Sequence, residues 1–308
     1  MISILMAAYN GERYIKAQIE SILHQTVQDF VLYINDDYSE DRTWEILKNY
    51  AGKYPGKIVV SRSAKNSGSS KANFLNLIVE HRDDYLMLCD QDDVWLPEKI
   101  EKTMAKMREM ELLYGPDTPF LVYTDLKVTD RNLNILADSM MKRVAADFNR
   151  TSLRDQLVQN TVTGCTVMYN RALADKFIKL PGFTVMHDWW IMLTASALGH
   201  AGYLAEATIL YRQHGDNSIG TRDMRSIGFL ARFMLRGDLI RKALDETYVQ
   251  AEALYKEFGT QMGTKNAMLV KAYAGIRKQF KLKRILTFMK LGTWKHGIVR
   301  IIGQIIYC

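Results

Sequence analysis

The chain has 308 residues, 48% of them hydrophobic and 24% charged, with a formal net charge of +7. That composition excludes a disordered or collagen-like chain, and the length suffices for one large α/β domain with a smaller appendage. Cys89, Cys165 and Cys308 are widely spaced and odd in number, which argues against a disulfide framework or a zinc knuckle and fits a reducing compartment. The opening Met1-Ile2-Ser3-Ile4-Leu5-Met6 lacks the basic start of a signal peptide, and no run approaches the roughly 18 apolar residues of a membrane span. The expected location is the cytoplasm. The charge is uneven: from Arg222 to the C-terminus there are 17 Lys/Arg against 6 Asp/Glu, while the preceding part carries 24 against 28. An acidic body with a basic tail implies an anionic partner for the tail, either membrane lipid, a lipid diphosphate or nucleic acid.

In chain order, Ile2–Ala8 is a short apolar run ending at the turn pair Asn10-Gly11, as a buried parallel strand would. Ile15, Ile19, Ile22 and Leu23 then share one helical face. Phe30–Ile34 is the next strand, with Asp36-Asp37 at its C-terminal end, followed by a helix over Thr43–Tyr50 and a third strand over Lys57–Ser61. Asn66–Ser70 is a Gly/Ser loop leading into a helix with Phe74, Leu77 and Ile78 on one side. Tyr85–Cys89 is a fourth strand running into Asp90-Gln91-Asp92-Asp93, Pro97 suits the first turn of the next helix, and Phe120–Thr124 is a fifth strand ending at Asp125. This βαβα order predicts an open, mostly parallel, Rossmann-like α/β sheet with helices on both faces. The carboxylates follow strand ends, where the ligand crevice of such a sheet lies. Further on, Thr161–Tyr169 reads as a strand containing Gly164, Ile191–Leu198 as a helix preceded by His187-Asp188-Trp189-Trp190, and Tyr203–Tyr211 as a strand followed by Arg212-Gln213-His214. After about Thr221 the pattern is helical, which divides the chain into 1–220 and a basic, mainly helical 221–308.

Asp90-Gln91-Asp92-Asp93 is the strongest local signal. Carboxylates this dense repel one another unless a cation intervenes, and Mg²⁺ or Mn²⁺ is commonly held by one or two carboxylates together with substrate phosphates. The plainer alternative is a solvated acidic loop at a helix N-terminus. Asp36-Asp37 reads either as a turn and helix cap or as hydrogen-bonding groups for a nucleotide base. Asp188 beside two indoles fits a desolvated general base with a raised pKa, or else a helix N-cap with core tryptophans. Arg212 suits a diphosphate and His214 a metal, unless both are surface loop residues.

Several segments together resemble the family 2 glycosyltransferases with a GT-A fold. They are Ala7-Ala8-Tyr9-Asn10-Gly11, Ile34-Asn35-Asp36-Asp37-Tyr38-Ser39-Glu40-Asp41, Asn66-Ser67-Gly68, Asp90-Gln91-Asp92-Asp93-Val94-Trp95, Thr163-Gly164, His187-Asp188-Trp189-Trp190 and Tyr211-Arg212-Gln213-His214, in family order over roughly the first 220 residues. The wording of the last four is especially similar to bacterial rhamnosyltransferases of cell-wall and capsular polysaccharide synthesis. The resemblance implies that 1–220 is a catalytic domain in which Tyr9 and Asp37 hold the nucleotide base, Asp90 and Asp92 form the DxD motif with Asp92 the direct metal ligand, and His214 joins the metal or diphosphate. Asp188 is then the catalytic base, with Lys71 and Arg212 as diphosphate contacts. Two positions depart from the family pattern: Tyr38 stands where Gly is usual before Ser39, and His187 replaces the usual Glu before the base. A non-Gly residue tolerates a left-handed turn poorly.

The implied reaction is inverting: an acceptor hydroxyl, deprotonated by Asp188, attacks the sugar of dTDP-L-rhamnose while Mn²⁺ or Mg²⁺ neutralises the leaving diphosphate. A UDP-linked glucose, galactose or N-acetylglucosamine is the alternative donor. The basic and apolar residues from Lys281 to Ile306 suit a helix in the interface of an anionic membrane, consistent with a lipid-linked glycan acceptor and a peripheral position on the inner face of the cytoplasmic membrane. Packing on the catalytic domain or on the second subunit of a homodimer is the other reading. A nucleotidyltransferase fits poorly, because Ala8-Tyr9-Asn10-Gly11 occupies the place of its basic Gly-rich phosphate loop. A nucleic-acid partner is not expected, because the basic excess is confined to the tail and an acidic crevice repels phosphate. A non-catalytic scaffold is the remaining rival.

Overall fold

The computed structural model describes residues 1–144, 147–214 and 237–308. Its strands are β1 (Ile2–Ala8), β2 (Phe30–Asp36), β3 (Ile58–Arg62), β4 (Tyr85–Asp90), β5 (Val94–Trp95), β6 (Phe120–Thr129), β7 (Ile135–Ala137), β8 (Val167–Asn170) and β9 (His200–Arg212). The helices are α1 (Ile15–Leu23), α2 (Thr43–Lys53), α3 (Ser70–Glu80), α4 (Lys99–Tyr114), α5 (Met140–Val144), α6 (Leu153–Val158), α7 (Arg171–Ala174), α8 (His187–Leu198), α9 (Gly237–Phe258), α10 (Thr264–Ala274), α11 (Lys281–Leu291) and α12 (Ile298–Tyr307).

The chain divides into two compact units. The first takes in Met1–Met140, Thr163–Leu180 and 202–214, and the second Met141–Val162, Pro181–Ala201 and 237–308. The division expected near Thr221 falls among residues 215–236, outside those described. One sheet runs in the order β3-β2-β1-β4-β8-β6-β9-β5, with β7 paired to β6. The strands β3, β2, β1 and β4 are parallel to one another, and β8 on β4, β6 on β8 and β5 on β9 are antiparallel. This is the expected α/β class.

The local reasons are those of any covered parallel sheet. Every residue of β1 is buried, so the strand reads as an unbroken apolar run. In β2 burial alternates, and Phe30, Leu32 and Ile34 supply the covered face. Ile15, Ile19 and Ile22 of α1, with Phe74, Leu77 and Ile78 of α3, are buried as their helical spacing requires.

Four sequence expectations are corrected. Thr161–Tyr169 is not one strand: Gly164–Thr166 form a 3₁₀ turn before β8. The Thr166 amide and hydroxyl both donate to the Thr163 carbonyl, at 2.9 and 2.7 Å, diverting the backbone from a ladder. Asp125 lies inside β6 rather than after it. The helix after the acidic motif begins at Lys99, with Pro97 in the preceding turn. His187-Asp188-Trp189-Trp190 forms the first turn of α8 instead of leading up to it, and the N-cap is Met186.

Tyr38 adopts the left-handed conformation, with φ 63°. The turn that glycine would favour is therefore kept with a bulky residue. The Arg62 guanidinium, 4.8 Å from the Tyr38 ring centroid, partly offsets the strain. Replacing Tyr38 with Gly relieves about 1 kcal/mol of backbone strain but loses a comparable amount in the cation–π contact and unfolded-state entropy. Reversible denaturation is expected to show Tyr38→Gly within about 1 kcal/mol of the native chain and Tyr38→Val destabilised by about 2 kcal/mol, since a β-branched residue is least tolerant of positive φ.

Lys99 is fully buried and its ammonium makes no hydrogen bond, lying 4.8 Å from the Trp95 ring centroid. Burial pushes its pKa down from 10.5 to about 8. Between those values the unfolded chain carries a proton at this site that the folded chain has shed, so stability rises with pH from about 8 towards 10. Burial also pushes Lys295 down to about 8, which contributes in the same sense, so denaturant titrations across that window should show a smaller rise in Lys99→Met than in the native chain.

Candidate active site

In the first unit, strand register gathers the chemistry at one edge of the sheet. β2 and β4 flank β1, with Asp36 opposite Ala8 and Asp90 opposite Ala7. All three strands run in one direction, so the loops that follow them emerge together, as at the carboxyl edge of any parallel sheet.

Gln91 ties two of these loops. Its Oε1 accepts from the Tyr9 amide at 2.9 Å and its Nε2 donates to the Tyr9 carbonyl at 2.7 Å. A Cβ on Gly11 would run into the same side chain and displace it from these bonds. Asn10, with φ 46°, makes the turn between them. Its amide donates to Ser39 Oγ at 2.9 Å, and its side-chain oxygen accepts from the Glu40 amide at 2.9 Å. The Tyr9 ring remains 42% exposed above this frame.

The acidic pair divides its work. Asp36 is fully buried, accepts from the Ser39 hydroxyl, and pairs with Arg62 Nε at 2.9 Å. It holds the turn. Asp37 accepts from the Ser67 amide through both oxygens, at 2.9 and 3.1 Å, and from the Ser67 hydroxyl at 2.7 Å. The Asn66 side chain donates to the Asp37 carbonyl at 3.0 Å. Asp37 thus anchors the loop that leads into α3, whose first turn carries the half-buried Lys71. Asp125 is engaged inside β6, accepting from the Leu126 amide at 2.8 Å and from the Ser139 hydroxyl.

The second acidic cluster is joined by the end of β9. His214 Nε2 lies 2.7 Å from Asp92 Oδ2. Arg212 is buried: its Nε donates to the Asp92 carbonyl at 2.8 Å, its Nη1 to the Arg131 carbonyl at 2.5 Å, and its amide to Asp93 Oδ1 at 3.1 Å. The Tyr14 ring packs against both residues, 4.6 Å from the Arg212 guanidinium and 5.1 Å from the His214 ring. The structure thus brings together Asp90, Asp92, Arg212 and His214.

Gln91, Asp93 and Tyr14 carried no assigned role in the sequence. Gln91 and Asp93 lay inside the motif that signalled the site; nothing in the sequence marks Tyr14. Asp93 is fully buried, and its Oδ2 has no hydrogen-bond partner. Burial, and then the charges of Asp92 and Asp90, push its carboxyl well above the usual range, against donation from the Arg212 amide. The donor atoms of Asp90, Asp93 and Cys165 lie within 4.8 Å of one another. Burial pushes the Cys165 thiol up, so this cluster offers carboxyl oxygens rather than a thiolate. Two carboxyl groups this close, one with an orphaned oxygen and with Asp92 beside them in the motif, fit a hard divalent cation with oxygen ligands.

Asp188 belongs to the second unit. It is buried in the first turn of α8, where the helix dipole favours a carboxylate, and its Oδ1 accepts from the Trp189 amide at 2.6 Å. Trp189 Nε1 donates to the Gln156 carbonyl at 2.7 Å, and Trp190 packs on Phe258 with ring centroids 6.1 Å apart. Both indoles are core residues that fix the helix start.

Comparisons with known proteins bear on the family and the fold. The family model described as Glycosyl transferase family 2 matches residues 3–177. The dTDP-rhamnosyl transferase RfbG of Shigella flexneri is 27% identical over 243 residues, which cover 75% of this chain and 78% of that protein. The crystal structure of S. aureus TarS 1-349 superposes with a TM-score of 0.56 at 17% identity, covering 94% of this chain and 89% of that one. The mannosyltransferase PcManGT from Pyrobaculum calidifontis, in complex with GDP-Man and Mn²⁺, does so with a TM-score of 0.53 at 12% identity, covering 99% and 83%. The family match takes in more than half of the residues and runs from β1 through β8, so the chain belongs to glycosyl transferase family 2 and has the GT-A fold.

Proposed function

We propose that this glycosyltransferase moves L-rhamnose from dTDP-L-rhamnose to a hydroxyl of a growing lipid-linked bacterial glycan, with inversion, at the cytoplasmic membrane surface. The observation that carries the donor is the 27% identity to a dTDP-rhamnosyl transferase over 75% of the chain.

In this reading Tyr9 stacks on the nucleotide base, for which its exposed ring is suited. Asp37 fixes the adjacent loop and meets the base or ribose. Asp90 and Asp92, the latter joined by His214, would hold Mn²⁺ or Mg²⁺. The cation, when bound, neutralises charge on the leaving diphosphate. Lys71 and Arg212 add positive charge for the diphosphate; Arg212 also fixes the Asp92 carbonyl. Asp188 accepts the acceptor hydroxyl proton as its oxygen bonds to the anomeric carbon and the bond from that carbon to the diphosphate oxygen breaks. The electron pair leaves with the nucleoside diphosphate, and the sugar inverts because attack and departure occur on opposite faces.

Two experiments test the reading. Incubation with dTDP-L-rhamnose, UDP-glucose, UDP-galactose and UDP-N-acetylglucosamine should release nucleotide from the rhamnose donor alone, in the presence of Mn²⁺ or Mg²⁺, and Asp92→Ala should lower the rate by at least about 100-fold. Preference for a UDP-sugar would replace the donor and keep the site. Asp188→Asn should lower kcat for transfer by about 1,000-fold or more while donor KM stays within about twofold; near-normal kcat would remove Asp188 as the base.

A further inference from the structure

Among the described residues of the second unit, two helices keep apolar faces exposed. In α11, Leu282, Leu286 and Met289 follow one another at i, i+4, i+7 and are 63%, 56% and 63% exposed. Phe280, just before the helix, is 69% exposed. In α12, Ile298, Ile302, Ile305 and Ile306 repeat the same spacing, and Ile298 is 77% exposed. The opposite sides are the buried ones: Phe288 in α11, and Gly303 and Gln304 in α12. Gln304 fixes that orientation, donating to the Thr293 carbonyl at 3.0 Å and accepting from the Lys295 amide at 2.9 Å. Lys281 Nζ donates to the Ile306 carbonyl at 2.7 Å and links the start of α11 to the end of α12. Both stripes are thus presented by helices held together at their ends.

Charge decides what would cover them. From Gly259 to Cys308 there are ten Lys/Arg and no Asp/Glu. Lys283 and Lys290 are exposed and lie about 90° round α11 from its apolar stripe, by the 3.6-residue repeat. Lys278 is exposed just ahead of the helix. A second protein seated on the stripes would need apolar residues rimmed by acids. A bilayer supplies both chemistries at once: acyl chains for Leu and Ile, and anionic headgroups for ammonium groups on long flexible stems. Among the described residues no helix is long and apolar enough to cross a membrane, so such helices would lie in the interface plane.

We propose that the exposed faces of α11 and α12 form a docking surface for an anionic lipid bilayer, with Leu282, Leu286, Met289, Ile298 and Ile302 entering the acyl boundary and Lys278, Lys283 and Lys290 meeting phosphate headgroups. This deepens the reading of a lipid-linked acceptor, and its test uses no donor and no acceptor. The full chain is sedimented with phosphatidylcholine vesicles made with and without phosphatidylglycerol, at low and high salt. Binding is expected only with phosphatidylglycerol and should weaken in high salt. Leu286→Asp combined with Ile302→Asp should reduce the bound fraction by about tenfold or more, and Lys283→Gln combined with Lys290→Gln should reduce it and flatten its salt dependence. All four positions are on exposed faces, so an unchanged thermal midpoint is the check on folding. Failure of the native chain to bind anionic vesicles overturns the proposal, as does equal binding by the Leu286→Asp/Ile302→Asp chain. If sedimentation velocity shows those substitutions splitting a dimer while vesicle binding persists, the face is a subunit contact and the proposal also fails. Vesicle binding without turnover of any nucleotide sugar leaves the docking surface standing and overturns the assignment of function instead.

Discussion

The paired hydrogen bonds between Gln91 and the backbone of Tyr9 are the constraint on which the site rests. Parallel pairing of β2 and β4 with β1 brings their loops to one edge, but pairing stops at the strand ends and leaves the loops free to separate. A side-chain amide can stand in for one more ladder pair because it offers a donor and an acceptor in one plane. Gln91 uses both on a single residue. The carboxylates on either side of it, Asp90 and Asp92, inherit its position. A fourth carboxylate, in place of Gln91, would lack the donor for the Tyr9 carbonyl and add one more negative charge.

Electrostatics then sets how these carboxylates coexist. Asp36 is paired with the Arg62 cation, and Asp37 is hydrogen-bonded by the amide and hydroxyl of Ser67. Those are local solutions, made within one turn and its neighbouring loop. Asp92 is met by His214, while Asp93 retains a buried oxygen without a partner. The first pair is thus satisfied within its own turn and loop, while the second keeps a buried oxygen unmatched. Arg212 has two roles here: its guanidinium binds backbone carbonyls, so it shapes the loop while keeping a positive charge next to the carboxylates.

Much of this was legible in the sequence. Unbroken apolar runs and helical spacing predicted β1, β2, β4, α1 and α3, because in a covered sheet burial follows periodicity. The family resemblance was legible in short motifs whose order is more informative than any one of them. The errors share a cause. Asp125 looked like a strand end because a carboxylate is costly inside a sheet, yet Ser139 and the Leu126 amide satisfy it there. Gly164 sat inside what read as a strand, and the Thr166 hydroxyl bond that bends the chain has no periodic signature. Tyr14 gave no signal, since its packing against Arg212 and His214 joins residues nearly two hundred positions apart in sequence. The antiparallel placement of β8 and β6 was also unreadable, because strand direction is decided by long-range pairing rather than by local pattern.

The three cysteines have unequal surroundings. Cys89 and Cys165 are fully buried, and burial pushes both thiols well above their ordinary range, so neither offers thiolate to a reagent in the folded protein. Cys308, one residue beyond α12, is only half-buried; burial raises its thiol as well, but it is the one within reach of solvent. A maleimide dye applied to the native chain therefore marks one position, at the end of the helix with the exposed isoleucines. The protein thus carries its own attachment point for an environment-sensitive fluorophore, without any engineered cysteine.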